Sequence, residues 1–242
     1  MNPSDALFFG AHPDDVELTS GGLAALLAAH GHAVTLVDLT RGEAASRGTP
    51  ETRATEAAAA ARALGVRGRE CLGLPDLGLT RTDPGQLRAV VACLRAHRPR
   101  LVVAPDRDDA HPDHIEAHHL VTRACYLAGL ARFDAPGERF RPARLLYAIY
   151  RGAARAHLVV DVGAVWERRM AALEAHVSQL DPAAGPSTYL THPDFRAEVE
   201  ARARVFGAGV GARFGEGYRS RGPLAVSDAR ALLAPATREA HP

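Results

Sequence analysis

Short apolar runs alternate with segments of helical periodicity over roughly the first 130 residues of the chain. The runs predict four strands, at residues 6–11, 34–39, 70–74 and 101–104. The periodic segments predict helices at residues 22–30, 49–64, 84–97 and 113–128. Repeated strand–helix–strand units are typical of a mainly parallel sheet with helices on both faces. We therefore predict a doubly wound, Rossmann-like α/β fold.

Local signals support these boundaries, and the second half of the chain is less regular. Thr49-Pro50-Glu51 combines an N-cap residue, a proline in the first turn and an acidic residue near the positive helix end, and Gly65 ends the same helix. Later segments predict strands at 144–150 and 158–162, helices at 164–179 and 194–206, and a loop at 181–193. No internal repeat or long linker divides the sequence, so we predict one domain over residues 1–242.

Composition restricts the possible partners. The 29 Lys and Arg residues nearly balance the 28 Asp and Glu residues, and the sequence has no basic stripe, which argues against nucleic acid. The N-terminus lacks the basic and apolar regions of a signal peptide, and no apolar run is long enough to span a bilayer. We expect a cytoplasmic protein without a membrane partner.

The three cysteines, Cys71, Cys93 and Cys125, are odd in number and widely spaced in apolar surroundings. This arrangement is not typical of a disulfide framework or of a Cys-rich zinc site. We expect all three to be small buried side chains in a reducing compartment.

Two clusters of His and Asp directly follow predicted strands. His12-Pro13-Asp14-Asp15 comes after the first strand, and the segment 106–114, which ends in His111-Pro112-Asp113-His114, comes after the fourth. Strands 1 and 4 flank the point where the strand order of a doubly wound sheet reverses, and ligands bind there, outside the carboxyl ends of the strands. We therefore expect the two clusters to meet at the ligand crevice.

Imidazole and carboxylate side chains together suit a divalent metal such as zinc. A catalytic zinc needs about three protein ligands and one open position for water. His12, Asp15 and His114 can supply this set. The sequence does not determine which metal ion is bound, since Fe²⁺ and other divalent metals fill similar sites.

Three neighbouring residues remain for proton transfer. Asp14 lies beside the metal set, where it can take a proton from water, and His111 lies one helical turn before His114, with Asp113 available to orient an imidazole. Helix capping is the alternative for either cluster taken alone, because Asp and Pro both favour helix starts. Two such clusters at two strand ends favour a shared site.

The same two clusters are the pattern by which the chain resembles the PIG-L/LmbE family of zinc-dependent N-acetylglucosaminyl deacetylases. The family has His-Pro-Asp-Asp near the N-terminus and a later His-Pro-Asp-His, and both are present here without a mismatch. The likeness extends from Gly10 to about Gly217. It implies a hydrolase that acts on a small amino-sugar substrate, and a homo-oligomer, a hexamer built of trimers.

The resemblance also implies the role of each site residue. The set is His12, Asp15 and His114 on the metal, Asp14, His111 and Asp113 in catalysis, and Arg53 on the substrate. By resemblance Asp14 is the general base, and His111, with Asp113 beside it, stabilises the oxyanion or protonates the leaving amine. Arg53 matches a family arginine that binds the acidic part of the substrate, whereas an ordinary surface arginine is the alternative.

Three further segments, 39–43, 73–76 and 199–207, resemble the bacillithiol-pathway subfamily, which acts on N-acetylglucosaminyl malate. A malate carboxylate would match Arg53. Deacetylases of other N-acetylglucosamine derivatives, of chitobiose or mycothiol type, are the alternatives within the family. A catalytically silent metal- or sugar-binding module is the alternative outside it.

One position departs from the subfamily pattern. A tyrosine proposed to assist at the oxyanion is matched here by Phe195, and phenylalanine cannot donate a hydrogen bond. Tyr189, in the nearby loop, is the candidate replacement.

Overall fold

A computed structural model of the chain describes residues 3–150 and 156–225, which form one seven-stranded sheet with helices around it. The strands are β1 Ala6–Gly10, β2 Val34–Thr40, β3 Gly68–Leu74, β4 Leu101–Pro105, β5 Arg144–Ala148, β6 Leu158–Asp161 and β7 Gly215–Ser220. The α-helices are α1 Asp15–Thr19, α2 Gly21–Ala29, α3 Pro50–Leu64, α4 Pro84–His97, α5 Pro112–Leu127, α6 Trp166–Glu174, α7 Val177–Leu180 and α8 Phe195–Ala208. Short 3₁₀ turns lie at Gly163–Val165, Pro182–Ala184 and Tyr189–Thr191.

The sheet has the order β3-β2-β1-β4-β5-β7-β6. Strands β1 to β5 pair in parallel, and β7 is antiparallel to both β5 and β6. The predicted α/β fold with a mainly parallel sheet is confirmed. Strands β1 and β4 are direct neighbours, so the strand order reverses between them.

Side chains of β1 alternate between two hydrophobic clusters, one on each face of the sheet. Ala6 and Phe8 pack in the cluster that contains residues of α2, α3, α6 and α8. Leu7 and Phe9 pack in the cluster that contains residues of α4 and α5. Helices therefore cover both faces, and β1 is buried throughout.

Two sequence predictions are wrong, and one strand was missed. The single helix predicted at 164–179 is two helices, α6 and α7, because the chain turns at His176, whose ψ of 59° is not helical. Strand β7 was not predicted, because the sequence Gly-Glu-Gly-Tyr-Arg-Ser lacks an apolar run. Cys71 is exposed rather than buried, whereas Cys93 and Cys125 are buried as expected.

Candidate metal centre and active site

The parallel pairing of β1 with β4 brings the two His/Asp clusters together. The Cα partners Phe8 and Val103 fix the register of these strands, and each cluster begins just beyond its strand. The ring centroids of His12 and His111 lie 4.8 Å apart, and those of His12 and His114 lie 5.4 Å apart. Both clusters thus face one point outside the carboxyl ends of the strands.

Local backbone geometry sets the directions of these side chains. The backbone N–H of His12 donates to Asp15 Oδ2 at 2.8 Å, which turns the Asp15 carboxylate back toward His12. Asp14 is the N-cap of α1, but its side chain makes no capping hydrogen bond. Its backbone, at φ 153° and ψ −21°, lies in a region that L-residues rarely adopt.

Helix α5 begins with a histidine cap. His111 is the N-cap residue, and its Nδ1 accepts a hydrogen bond from the backbone N–H of Asp113 at 3.2 Å. Pro112 occupies the first turn, where it needs no hydrogen-bond partner. Neither Asp14 nor Asp113 uses its carboxylate as a helix cap, so capping does not account for these two acids.

The donor atoms of the predicted metal set lie at the spacing that a metal requires. Asp15 Oδ1 is 3.1 Å from His114 Nε2, and Asp15 Oδ2 is 3.5 Å from His12 Nδ1. Ligand atoms on a tetrahedral zinc, each at about 2.0–2.1 Å, are roughly 3.3 Å apart. Nitrogen atoms of His12, His111 and His114 also lie within 4.8 Å of one another. The residues present fit a divalent metal.

Carboxylates hold the opposite ring nitrogens of both histidines. Asp109 Oδ2 lies 2.9 Å from His114 Nδ1. His12 Nε2 lies 3.1 Å from Asp76 Oδ1 and 3.4 Å from Asp113 Oδ2. A carboxylate behind a metal-binding imidazole fixes its tautomer and orientation. The arrangement leaves His114 Nε2 and His12 Nδ1 facing Asp15.

The charge distribution at this point favours a cation. Burial alone would lower the pKa of His12, but the surrounding Asp113, Asp15 and Asp76 raise it well above its usual value. Burial likewise opposes protonation of His114, yet Asp15 and Asp109 raise its pKa to about 10. These carboxylates would stabilise a metal ion at the same place.

Asp14 pairs with Arg53. Arg53 Nη2 lies 3.2 Å from Asp14 Oδ2 and donates to the backbone oxygen of Pro13 at 2.9 Å. Burial raises the pKa of Asp14, although the Arg53 guanidinium works against that rise. The Arg53 side chain is itself only 4% exposed.

His111 has one ring nitrogen within 4.8 Å of nitrogen atoms of His12 and His114. Because Nδ1 accepts from the Asp113 backbone, the neutral ring carries its proton on Nε2. Burial lowers the pKa of His111, and neighbouring His12 and His114 lower it further. A neutral His111 is therefore a hydrogen-bond donor beside the metal set.

Comparison with known proteins identifies the family of this site. The sequence model described as GlcNAc-PI de-N-acetylase matches residues 7–125, which contain both His/Asp clusters. The 1D-myo-inositol 2-acetamido-2-deoxy-alpha-D-glucopyranoside deacetylase of Rhodococcus opacus (strain B4) is 30% identical, over 82% of this chain and 89% of that protein. The chain belongs to the PIG-L family.

Solved structures share the fold of this PIG-L protein. The conserved protein TT1542 from Thermus thermophilus is 36% identical, with a TM-score of 0.84 over 92% of this chain and 97% of that one. The N,N'-diacetylchitobiose deacetylase from Pyrococcus horikoshii is 22% identical, with a TM-score of 0.75 over 88% of this chain and 82% of that one. The expected closeness to the bacillithiol subfamily is not supported by these relatives.

A cavity of about 470 Å³ opens above the metal set of this PIG-L protein. Apolar and amide side chains form much of its wall, including Leu18, Gln179 and Leu190. A volume of this size is typical of a small-molecule site. Among the described helices, none is long and apolar enough to cross a membrane.

Two tyrosines line the cavity. Tyr150 stands edge-on to the His114 ring, with centroids 5.7 Å apart, and Tyr189 donates to Glu198 Oε2 at 2.5 Å. Phe195 is buried behind Tyr189 at a ring distance of 5.3 Å and is not part of the lining. Tyr150 was not singled out from the sequence, where it ends a predicted strand.

Two carboxylates at the site also escaped sequence analysis. Asp76 and Asp109 lie inside segments that drew attention for other reasons, and both contact a predicted metal ligand. The signal for Asp109 was its place in the second cluster, five residues before His114. Sequence spacing alone gave no means to separate it from its neighbours Asp106 and Asp108.

Proposed function

We propose that this PIG-L protein is a zinc-dependent hydrolase that removes the N-acetyl group from an N-acetylglucosamine conjugate. The observation that carries the proposal is the convergence of both His/Asp clusters on one cavity in a member of a deacetylase family. His12, Asp15 and His114 would hold the ion, which when bound would polarise the amide carbonyl and lower the pKa of a water molecule.

Asp14 is the proposed general base. It lines the cavity beside the metal set, and burial raises its pKa toward the range in which a carboxylate exchanges protons efficiently. Asp14 takes a proton from the attacking water as the water oxygen bonds to the carbonyl carbon. The same proton then passes to the amide nitrogen as the C–N bond breaks, so the products are acetate and a free amine.

His111 is the proposed donor to the carbonyl oxygen. Its ring lines the cavity, and the neutral ring carries its proton on Nε2 because Nδ1 accepts from the Asp113 backbone. A positioned donor stabilises the negative charge that develops on that oxygen, and removal of such a donor typically costs about 10²–10³ in kcat. Asp113 acts on the other histidine, since its carboxylate lies 3.4 Å from His12 Nε2.

The surroundings of Arg53 favour a neutral group as the second part of the conjugate. Its Nη2 contacts Asp14 and the backbone oxygen of Pro13. Its Nη1 packs so closely against Gly42 that a Cβ added there would lie only 2.0 Å from it. A malate carboxylate would have to compete with Asp14 for this guanidinium. We therefore favour an inositol-type polyol, in line with the name of the Rhodococcus opacus relative, over malate.

Acetate release from three substrates tests this assignment. The substrates are the inositol-linked sugar, N-acetylglucosaminyl malate and plain N-acetylglucosamine. We expect the highest kcat/KM on the inositol-linked sugar. Faster turnover of the malate conjugate would overturn the neutral-group assignment and restore Arg53 as a carboxylate-binding residue. No acetate from any of them, with zinc bound, would favour a silent binding module.

The variant Asp14→Asn tests the catalytic role. The amide keeps the shape of the side chain but cannot accept the proton, so we expect kcat to fall by about 10²–10⁴ while zinc stoichiometry is unchanged. Asp134→Asn, at a side chain that is 95% exposed, is the matched control. Full activity of Asp14→Asn would remove Asp14 as the base.

Sedimentation of the wild-type protein would test the hexamer, which stays a prediction.

A further inference from the structure

A second group of potential metal ligands lies away from the cavity, between β3 and α4. Cys93 Sγ donates to Glu70 Oε1 at 2.9 Å, and His97 Nε2 lies 3.3 Å from the same oxygen. One donor atom from each residue lies within 4.8 Å of the other two. Glu70 precedes the carboxyl end of β3 by four residues, which is roughly 13 Å along a strand.

Helix geometry places two of the three donors together. Cys93 and His97 are four residues apart on α4, so they share one face of that helix. Both are about 95% buried, whereas the Glu70 side chain is 25% exposed. The group is thus closed on the helix side and open to solvent on the carboxylate side.

His97 is held with one nitrogen aimed into the group. Its Nδ1 lies 2.9 Å from Ser4 Oγ, which also accepts a hydrogen bond from Arg67 Nη2 at 2.8 Å. Its Nε2 is buried and makes no hydrogen bond, since the contact with Glu70 has poor geometry. A proton on Nδ1, donated to Ser4 Oγ, leaves the Nε2 lone pair facing the Glu70 carboxylate oxygen, so a cation between the two would interact favourably with both.

We propose that Glu70, Cys93 and His97 form a second site for a divalent transition metal such as Zn²⁺ or Co²⁺, independent of the proposed active site. A thiolate and a carboxylate balance the charge of the ion, and imidazole completes a set that zinc commonly uses. The carboxylate side leaves a fourth position for water. Binding breaks the Cys93 S–H bond and releases that proton to solvent.

Distances show how little the group must change. On a tetrahedral zinc the Glu70 oxygen and the His97 nitrogen would be about 3.3 Å apart, and the oxygen and sulfur about 3.5 Å apart. The first distance is already 3.3 Å, and the second is 2.9 Å. The Glu70 oxygen therefore has to move away from Cys93 by roughly half an ångström, as their hydrogen bond is lost. The Cys93 sulfur and the His97 nitrogen, which lie within 4.8 Å of each other, would stand about 3.5 Å apart on the metal.

Cobalt absorption distinguishes the two sites. None of the described residues that line the cavity is a cysteine, so a thiolate-to-cobalt charge-transfer band in the near ultraviolet reports only the second site. We expect metal-free wild-type protein to develop this band on titration with Co²⁺. Cys93→Ser should abolish it, and Cys125→Ser, which removes another buried thiol on the neighbouring helix, should retain it. Cys71→Ser checks the exposed thiol in the same way.

Two outcomes would overturn the proposal. Wild-type protein that binds Co²⁺ without a thiolate band has no second site, and a band that survives Cys93→Ser comes from another thiol. If Cys93→Ser does not fold, Glu70→Gln keeps the thiol and should weaken Co²⁺ binding at the band by about tenfold or more. Acetate release by the Cys125→Ser protein is a separate readout, so failure of the deacetylase assignment is not confused with failure of this site.

Discussion

Asp14 has a backbone conformation that is rare outside glycine. Its φ of 153° places a Cβ against the neighbouring backbone, and strain of this kind costs of order 1–3 kcal/mol per residue. Strained residues cluster at active sites because the surrounding structure maintains them for their chemistry. The proposed base therefore destabilises the fold at the point where it would act.

Comparison of Asp14→Gly with Asp14→Ala measures that strain. Both variants lose the ion pair with Arg53 equally, but only glycine relaxes at this φ. We expect the free energy of unfolding of Asp14→Gly, measured by chemical denaturation, to be about 1 kcal/mol larger than that of Asp14→Ala. At Ala58, an exposed position within α3, replacement by glycine should instead destabilise the protein by about 0.5–1 kcal/mol. Equal stability of the two Asp14 variants would rule out backbone strain there.

Asp109 is expected to tune metal affinity through His114. Its carboxylate holds His114 Nδ1 at 2.9 Å and also accepts the backbone N–H of His111 at 3.0 Å. Loss of such a partner typically lowers metal affinity 10- to 100-fold, roughly. We expect this loss for Asp109→Ala in a competition titration with a zinc chelator. Asp108→Ala, at the adjacent exposed carboxylate, should change the affinity less than about twofold.

Some residues of the candidate site could be predicted from the sequence and others could not. His12, Asp15 and His114 were predicted because they belong to two dense clusters placed after strands. Asp76 was not, because its contact with His12 spans 64 positions and depends on the turn that follows β3. The engagement of Arg53 by Asp14 was missed for a similar reason, since helix periodicity does not tell which cavity a side chain enters.

At the scale of elements, α2 begins against a carboxylate from the far end of the chain. Glu216, on β7, accepts the backbone N–H groups of Gly22 and Leu23 at 2.7 and 2.8 Å. Such a carboxylate satisfies donors that a helix start leaves open and interacts with the positive end of the helix. The glycine pair at positions 21 and 22 therefore has a packing role in this fold.

Gly22→Ala should destabilise the protein. A Cβ at this position would lie 2.6 Å from Val162 Cγ1 and 2.8 Å from Glu216 Oε1. Overpacking of this kind costs about 1–3 kcal/mol, because α2 must move away from its capping carboxylate. Gly68→Ala, on β3, meets no atom within 4 Å and should be neutral or slightly stabilising. Unfolding in urea compares the two, and an unchanged stability for Gly22→Ala would show that α2 has room to shift.

Strands could be predicted from the sequence where their buried side chains are apolar. Strands β1, β2 and β4 are buried along most of their length, and their Val, Leu and Phe runs identify them. β7 is also mostly buried, but it buries Glu216 and two glycines, so a hydrophobic pattern cannot locate it. The break between α6 and α7 was missed for a similar reason. The chain turns there at His176, which is fully buried, whereas an exposed turn would be recognised by a run of polar residues.

At the scale of the molecule, β7 carries a buried polar group into the sheet between β5 and β6. Tyr218 is fully buried, and its hydroxyl donates to Glu216 Oε2 at 2.8 Å. Arg169, on α6, lies 3.1 Å from the other Glu216 oxygen. One cluster of ionisable groups therefore links β7, α6 and the start of α2, and protonation of its members affects the stability of the whole fold.

Alkaline pH should destabilise the protein through Tyr218. Burial, with the Glu216 carboxylate beside it, raises the pKa of Tyr218 well above its usual value of 10.0. A pKa raised in the folded state means that the contribution to stability is complete below about pH 10 and is lost as the pH rises toward the folded value, because only the unfolded chain releases the proton. Wild-type protein should thus lose stability relative to Tyr218→Phe as the pH rises above about 10. Thermal unfolding of both proteins across this range isolates the effect from other groups that titrate there. A difference in melting temperature that does not vary with pH would show that Tyr218 ionises as readily in the folded chain as in the unfolded one.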